Sequence, residues 1–458
     1  MIPAESMRDR TVAVLGLGRS GRSACRALEA GGARVLAWDD DPACRERMAD
    51  EGVPLVDLAG ADWAKVDRLV LSPGIPLDHP RPHPMVERAR AARVPVVGDI
   101  ELLVESQPNR HIVGVTGTNG KSTTTALVGA LLGAGGMGAQ VGGNIGLPAL
   151  DLLPKPTKDI YVLELSSYQL ELTDHLACAV AVLLNLSADH LDRHGGMAGY
   201  ARAKGRIFRN QRASDWAIVG VDDDHGRALA VDLARGPQRL VPISATGRLA
   251  RGIYVEAGRL HDALDGAPRE IVDLGPVASL QGSHNWQNAA AAYAAARALG
   301  VPPEAAALGL RRFQGLPHRL EPVATIGGVR FVNDSKATNP DAAARALAAF
   351  DAVFWIAGGR PKEGGFGALE PQLHRVRHAF LIGEAAPALA EFLGGRVAFT
   401  RCGDLERAVR EATAAAARAE RPVVLLAPAC ASFDQFANFE DRGDTFRRLV
   451  EELAVPTP

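Results

Sequence analysis

The chain has 458 residues, of which 47% are hydrophobic and 23% charged, and its formal net charge is −2. This balance fits a soluble globular protein of about three domains, and it offers neither a basic field for nucleic acid nor a polybasic tract for membrane lipid. Five scattered cysteines without a CxxC pair, a polar segment 1–10 and the lack of any apolar run of spanning length lead us to expect a reducing, cytoplasmic setting.

Apolar β-type runs alternate with Ala/Leu/Arg-rich helical patterns along the chain, which predicts βαβ units and α/β sheets. Three blocks are expected: residues 1–99, 100–315 and 316–458, each an open, mostly parallel sheet with helices. The first and third are Rossmann-like, and the second is built on a phosphate loop.

The first block opens with a predicted strand over 11–15, then Gly16-Leu17-Gly18-Arg19-Ser20-Gly21 and a helix to about residue 30. A second strand over 34–38 ends at Asp39-Asp40-Asp41, and a third over 68–71 leads into Ser72-Pro73-Gly74-Ile75. A GxGxxG turn after a strand lets a diphosphate approach a helix start, and the same glycines also serve tight helix–strand packing. A dinucleotide-dependent oxidoreductase is one reading of this block alone.

The second block carries the most informative run, Val113-Gly114-Val115-Thr116-Gly117-Thr118-Asn119-Gly120-Lys121-Ser122-Thr123-Thr124. A strand over 111–115, a glycine turn and a helix over 123–132 make a phosphate cradle. Lys121 is expected on the β/γ-phosphates and the Ser122 hydroxyl on Mg²⁺. The strand over 160–165 ends in Glu164, followed by Ser166-Ser167-Tyr168-Gln169. A buried strand-end carboxylate needs a partner, and Mg²⁺ or a structural arginine would serve. After the strand over 179–184 come Asn185, Asp189, His190, Asp192, Arg193 and His194; an isolated His is usually structural or idle, but two His and two Asp in six residues point to phosphate or metal contact. Spacing alone makes Lys204 a solvated helix residue. Asn285 and Asn288 stand at the start of a predicted helix over 288–299, where capping explains one amide better than two.

In the third block, strands are predicted over 330–332, 353–357, 379–382 and 422–426, and helices over 340–350, 405–419 and 445–453. Leu316-Pro317-His318-Arg319-Leu320-Glu321 and Asn333-Asp334-Ser335-Lys336-Ala337-Thr338-Asn339 are polar clusters at strand edges. Arg319 can clamp a phosphate, and Lys336 and Thr338 precede a helix start suited to an anion. Gly359-Arg360-Pro361-Lys362 and Pro428-Ala429-Cys430-Ala431-Ser432-Phe433 likewise follow strands.

In this order the motifs resemble those of the Mur ligases over nearly the whole chain, and within that family the C-terminal runs match best the members that use D-glutamate. The phosphate loop, the asparagine pair and the Glu/His/Lys set are shared with the wider superfamily that includes folylpolyglutamate synthetase. The resemblance implies UDP-sugar, ATP and amino-acid domains, and an ATP-dependent amide ligation in peptidoglycan precursor synthesis. In it the carboxylate of UDP-MurNAc-L-alanine becomes an acyl phosphate that the amine of D-glutamate attacks. It implies that Gly117, Thr118, Asn119, Gly120, Lys121, Ser122, Thr123, Asn285, Asn288, Arg319 and Asp334 hold ATP. Ser122 and Glu164 would bind one Mg²⁺, and His190 with a carbamylated Lys204 a second. Ser20, Asp39, Gly74 and Asn144 would meet the UDP-sugar, and Thr338, Lys362, Ser432 and Phe439 would form the D-glutamate pocket. The expected form is a monomer acting on small molecules. A nucleotide-switched binding module without turnover is the remaining alternative, and it leaves the C-terminal clusters without a role.

Overall fold

The apolar runs become strands and the Ala-rich stretches helices. The computed structural model describes residues 1–108, 111–154, 159–361 and 364–454, and these arrange into three sheets. They divide into two compact units, one of residues 1–274 with 285–312, the other of residues 275–284 with those from 313 onward.

The first unit holds two sheets. In the four-stranded one, Thr11–Leu15 lies between Arg34–Trp38 and Arg68–Leu71, with Val96–Val97 outermost, all parallel. In the nine-stranded sheet the strand His111–Thr116 lies between Ile160–Glu164 and Val180–Leu183. The strand Ile160–Glu164 is buried at every position, which is why it reads as a continuous apolar run rather than an alternation. The chain leaves His111–Thr116 toward one edge of the sheet and Val180–Leu183 toward the other. Their carboxyl ends therefore flank the crevice where open α/β sheets bind ligands. Beyond Arg239–Ser244 the strands Ile253–Glu256, Arg259–Asp262 and Arg269–Asp273 extend the sheet, the last two pairings antiparallel. These short strands carry no long apolar run and escape a search for βαβ units.

One core serves both sheets: Ile2, Leu28, Leu103, Leu150, Leu163 and Leu183 belong to a single buried cluster. Backbone bonds from Ile2 N to Leu150 O (2.7 Å) and from Gly98 N to Leu172 O (2.9 Å) join the two sheets.

The second unit has a six-stranded sheet in which Val423–Leu426 lies between Val329–Asn333 and Val353–Gly358, with one antiparallel edge strand, Glu321–Ile326. Apolar clusters cover both faces, one around Trp355 and Leu425, the other around Ile356 and Phe446.

Three helices begin earlier than the apolar pattern predicts. The helix expected from 123 begins at Lys121, the one from 288 at Ser283 and the one from 445 at Phe439. Each has a polar first turn. Asp and Glu are stabilising at a helix amino end, as with Glu440 and Asp441, although they interrupt the apolar periodicity. Asn285 and Asn288 consequently lie inside their helix. Among the described residues no helix is long and apolar enough to cross a membrane, and all five cysteines are free.

Candidate active site

The strand His111–Thr116 runs into Gly117-Thr118-Asn119-Gly120, and the helix Lys121–Ala134 starts at once. Gly120 has φ +84°, and a Cβ there would lie 2.1 Å from Asn288 Oδ1, so only glycine fits. The exit of the neighbouring strand shapes the loop. Thr118 N donates to Asn185 O (2.9 Å), Asn119 N to Asn185 Oδ1 (3.0 Å) and Ser187 N to Thr118 Oγ1 (3.0 Å). Lys121 Nζ folds back on the loop and donates to Gly117 O (3.0 Å) and Thr118 O (2.9 Å). Ser122 and Thr123 are buried in the first turn. A helix amino end with a lysine beside it favours phosphate.

Lys204 corrects the expectation from spacing. It lies in the helix Met197–Gly205, yet it is only 2% exposed. Its Nζ donates to Gly117 O (2.8 Å) and Thr116 Oγ1 (3.4 Å) and sits 4.8 Å from the Tyr200 ring centroid. Two ammonium groups thus meet at one carbonyl. Burial, and then the charge of Lys121, push the Lys204 amine well below its ordinary pKa, while Asp189 and Glu164 pull the other way.

Glu164 is buried at the end of its strand. Its Oε1 accepts Asn144 Nδ2 (2.7 Å), while Oε2 has no hydrogen-bond partner among the described residues. A buried carboxylate oxygen without a donor is costly, and a hard divalent cation beside phosphate is a group that would satisfy it. His190 has φ +52°, with its Nε2 3.5 Å from Asp189 Oδ2 and its ring 5.1 Å from that of Tyr168. Burial lowers its pKa against the pull of Asp189, and the charges of Lys204 and Lys121 lower it further. Lys121, Glu164, Asp189, His190 and Lys204 therefore lie close enough to act on one another's charge.

Asn288 and Asn285 back the loop. Thr124 Oγ1 donates to Asn288 Oδ1 (3.3 Å), and Asn288 Nδ2 to Asn285 Oδ1 (3.1 Å). Gln287, which sequence reasoning passed over, continues the line. It accepts Asn185 Nδ2 (2.8 Å) and donates to Asp222 Oδ2 (2.9 Å). The signal available was the acidic run Asp222-Asp223-Asp224 directly after the strand Trp216–Gly220 and its single-residue connection.

At the four-stranded sheet, Ser72 Oγ donates to Gly16 O (2.8 Å), which sets the glycine turn beside the loop that carries Gly74. Asp39 accepts Leu17 N (2.6 Å) and Asp41 N (2.9 Å), so its carboxylate shapes the turn. The Ser20 hydroxyl and Gln169 both bond Asp99, whose carboxyl burial pushes upward. Gly74 is exposed, with open space where a Cβ would stand. Asn144 donates to Glu164, and the loop that follows it meets the glycine turn, where Gly146 O accepts from Arg19 Nη2.

In the second unit, Arg319 and Asp334 come together. Burial raises the Asp334 carboxyl to about 7, opposed by the Arg319 charge and by a hydrogen bond from the Leu320 backbone. Lys336 Nζ lies 3.6 Å from the Phe439 ring centroid, and Ser432 is buried. Thr338 lies just before Asn339, which caps the helix Pro340–Ala348 through Ala342 N (2.8 Å). Lys362 lies outside the described residues. Sequence reasoning missed Arg442, which is wholly buried and donates to Ser335 Oγ (3.0 Å), Ser335 O (2.9 Å), Cys430 O (3.2 Å) and Ala431 O (3.3 Å). It braces the segments that carry Thr338 and Ser432, and burial lowers its pKa to about 10. Its signal was positional: residues 442, 446, 449 and 450 share one buried helix face, on which it alone is charged.

Two family models match the chain, the Mur ligase middle domain over residues 115–296 and the Mur ligase glutamate ligase domain over residues 318–430. The UDP-N-acetylmuramoylalanine–D-glutamate ligase of Phenylobacterium zucineum is 51% identical over 99% of this chain and 98% of its own length. The ligase of the same name from Caulobacter vibrioides is 52% identical over the same shares. Among solved structures, the UDP-N-acetylmuramate-alanine ligase of Thermotoga maritima has the same fold, with TM-score 0.58 and 17% identity over 97% of this chain and 99% of that one. MurF of Acinetobacter baumannii is similar, with TM-score 0.56 and 19% identity over 99% and 92%. With full-length relatives at half identity, and with the phosphate loop and strand-end carboxylate both inside the matched middle domain, the chain belongs to the Mur ligase family.

Proposed function

We propose that this Mur ligase joins D-glutamate to UDP-N-acetylmuramoyl-L-alanine with cleavage of ATP, in the cytoplasm, as a step of peptidoglycan precursor synthesis. The observation that carries the chemistry is the meeting of Lys121 and Lys204 at Gly117 O, in charge contact with Glu164 and its unpartnered oxygen. The relatives' names supply the substrates.

A carboxylate is a poor electrophile until phosphorylated, and transfer of a phosphoryl group between anions needs its charge neutralised. In the proposed reaction an oxygen of the L-alanyl carboxylate attacks the γ-phosphorus of ATP, and ADP leaves. The amine of D-glutamate then attacks the acyl phosphate, loses a proton, and expels inorganic phosphate as the amide forms. Lys121 and the loop amides hold the phosphates, Asn285 and Asn288 back the loop, and Arg319 and Asp334 serve the nucleotide. Ser122, Glu164, His190 and Lys204 are the residues that would hold Mg²⁺, which supplies charge neutralisation on the phosphates. Lys204 serves as a carbamate: its neutral amine adds CO₂, releases a proton and presents anionic oxygen, the ligand a hard dication prefers. The displaced pKa of this buried amine supports that step. Ser20, Asp39 and Gly74, in a domain of residues 1–99, serve the UDP-sugar together with Asn144 from the ATP domain, 100–315. Thr338, Lys362, Ser432 and Phe439 form the D-glutamate pocket in residues 316–458. We propose a monomer.

The test is phosphate release with ATP, Mg²⁺, UDP-MurNAc-L-alanine and single amino acids. D-glutamate should support turnover, while L-glutamate and D-alanine should not. Equal rates with neutral D-amino acids would reject the pocket, and preference for a diamino acid would move the chain to another specificity within the family.

A further inference from the structure

Arg193 and His194 belong to the polar run after Val180–Leu183, yet neither takes part in the chemistry above, and both are buried. Arg193 lies in the short helix Leu191–His194, which starts directly after His190. Its guanidinium reaches out of the nine-stranded sheet. Nη2 donates to Ile75 O and Nη1 to His79 O (3.3 Å), both in the loop that carries Gly74. The backbone is pressed close there too, since a Cβ on Gly195 would lie 2.9 Å from His79 Nε2. The other face of the guanidinium lies 5.1 Å from the Tyr168 ring centroid. That ring is stacked on His194 at 5.3 Å and lies 5.1 Å from His190. His194 in turn is clasped by Glu171 through Nδ1 (2.8 Å) and by Ser167 through Nε2 (2.9 Å).

We infer that Arg193 is a positioning residue that pins the loop of residues 72–79 to the turn bearing His190, so that a sugar nucleotide bound at the first sheet presents its carboxylate in register with the phosphoryl-transfer groups. This rests on the ligase reading. The physical basis is the fork of the guanidinium: two donors in fixed geometry bridge two carbonyls while its central carbon lies over an aromatic ring, and a lysine ammonium cannot do all three. A misplacement of about 1 Å between reacting groups can cost about a hundredfold in rate.

The test uses the full chain with Arg193→Gln and Arg193→Lys. Arg193→Gln should raise the KM for UDP-MurNAc-L-alanine about tenfold or more and lower kcat, while the KM for ATP stays within about twofold. Arg193→Lys should recover part of the loss. Hydrogen exchange should quicken in residues 72–83 of the Gln variant and stay unchanged in residues 113–124. A matching rise in KM for ATP and the sugar nucleotide, faster exchange in both segments, or wild-type behaviour in both assays overturns the assignment. Should the wild type release no phosphate with these substrates, the ligase reading falls on its own, and the exchange measurement still decides the role of Arg193.

Discussion

Two glycine turns of this chain read alike and do different work. Gly16-Leu17-Gly18-Arg19-Ser20-Gly21 and the run from Gly117 to Ser122 each join a parallel strand to a helix at a sheet crevice. In the first, the glycines at the ends bring the helix onto the strand: a Cβ on Gly21 would stand 1.8 Å from Gly16 O. The backbone there is held by the Asp39 carboxylate. In the second, the glycine conformations open a loop onto whose carbonyls two lysines turn, Lys121 from the loop's own helix and Lys204 from a helix about eighty residues later. Glycine spacing marks where a backbone can come close to something. The charges brought to the turn from elsewhere decide whether that something is a peptide group or a phosphate.

The sharpest break in this comparison is Lys121→Ala. It should reduce phosphate release by about a thousandfold or more, because the charge acts where phosphate charge accumulates, while the melting temperature moves by no more than a few degrees. Wild-type turnover would remove the loop from the chemistry.

Lys204→Arg comes next. It keeps the positive charge but cannot add CO₂, so a loss of about a hundredfold or more is expected, in the range of removing a single charge-stabilising group. Wild-type activity should also fall in CO₂-free buffer at mildly acid pH and return with bicarbonate. Full activity of the arginine variant defeats the carbamate.

The two turns can then be set against each other with Gly120→Ala and Gly21→Ala. At 120 the positive φ and the Asn288 amide both oppose a side chain, and the ATP KM should rise about tenfold. At 21 the collision is with backbone, so stability should fall by about 1–3 kcal/mol while the ATP KM at low temperature stays near wild type. Equal effects on ATP binding would erase the distinction.

The smallest effect concerns the second unit. Asp334 has a folded pKa of about 7 against an ordinary 3.8. Between those values the native carboxyl keeps a proton that the unfolded chain releases, so this group's contribution to stability declines as pH rises from about 4 to 7 and is lost above 7. Asp334→Asn should remove that decline, so the ligand-free variant gains stability relative to wild type as pH rises from 4 to 8, with the smaller difference at pH 4. Chemical denaturation at the two pH values reads this directly, and an equal difference at both would exclude titration of Asp334 as its source.

Much of this was legible in the chain. Alternating apolar runs named the α/β class, and the 113–124 run named a strand, a glycine turn and a helix, because period and punctuation are local properties. Strand-end positions marked Glu164 and His190, since the carboxyl ends of parallel strands are where ligands bind. Lys204, Gln287, Arg442 and Arg193 were not legible in the same way. Each is a polar or charged residue on a helix, and on spacing alone such a residue belongs in solvent. Only tertiary structure decides otherwise, by placing a carbonyl, an amide or an aromatic ring from a distant segment within reach of the buried group: Gly117 O for Lys204, Asn185 for Gln287, Cys430 O for Arg442, Ile75 O for Arg193. Asn144 shows the same limit, because its amide meets the carboxylate of Glu164 across neighbouring strand ends. Local pattern sets which elements form and where their ends lie. Which buried charge is tolerated depends on partners far along the chain, because only a long-range contact repays the cost of taking that charge out of water.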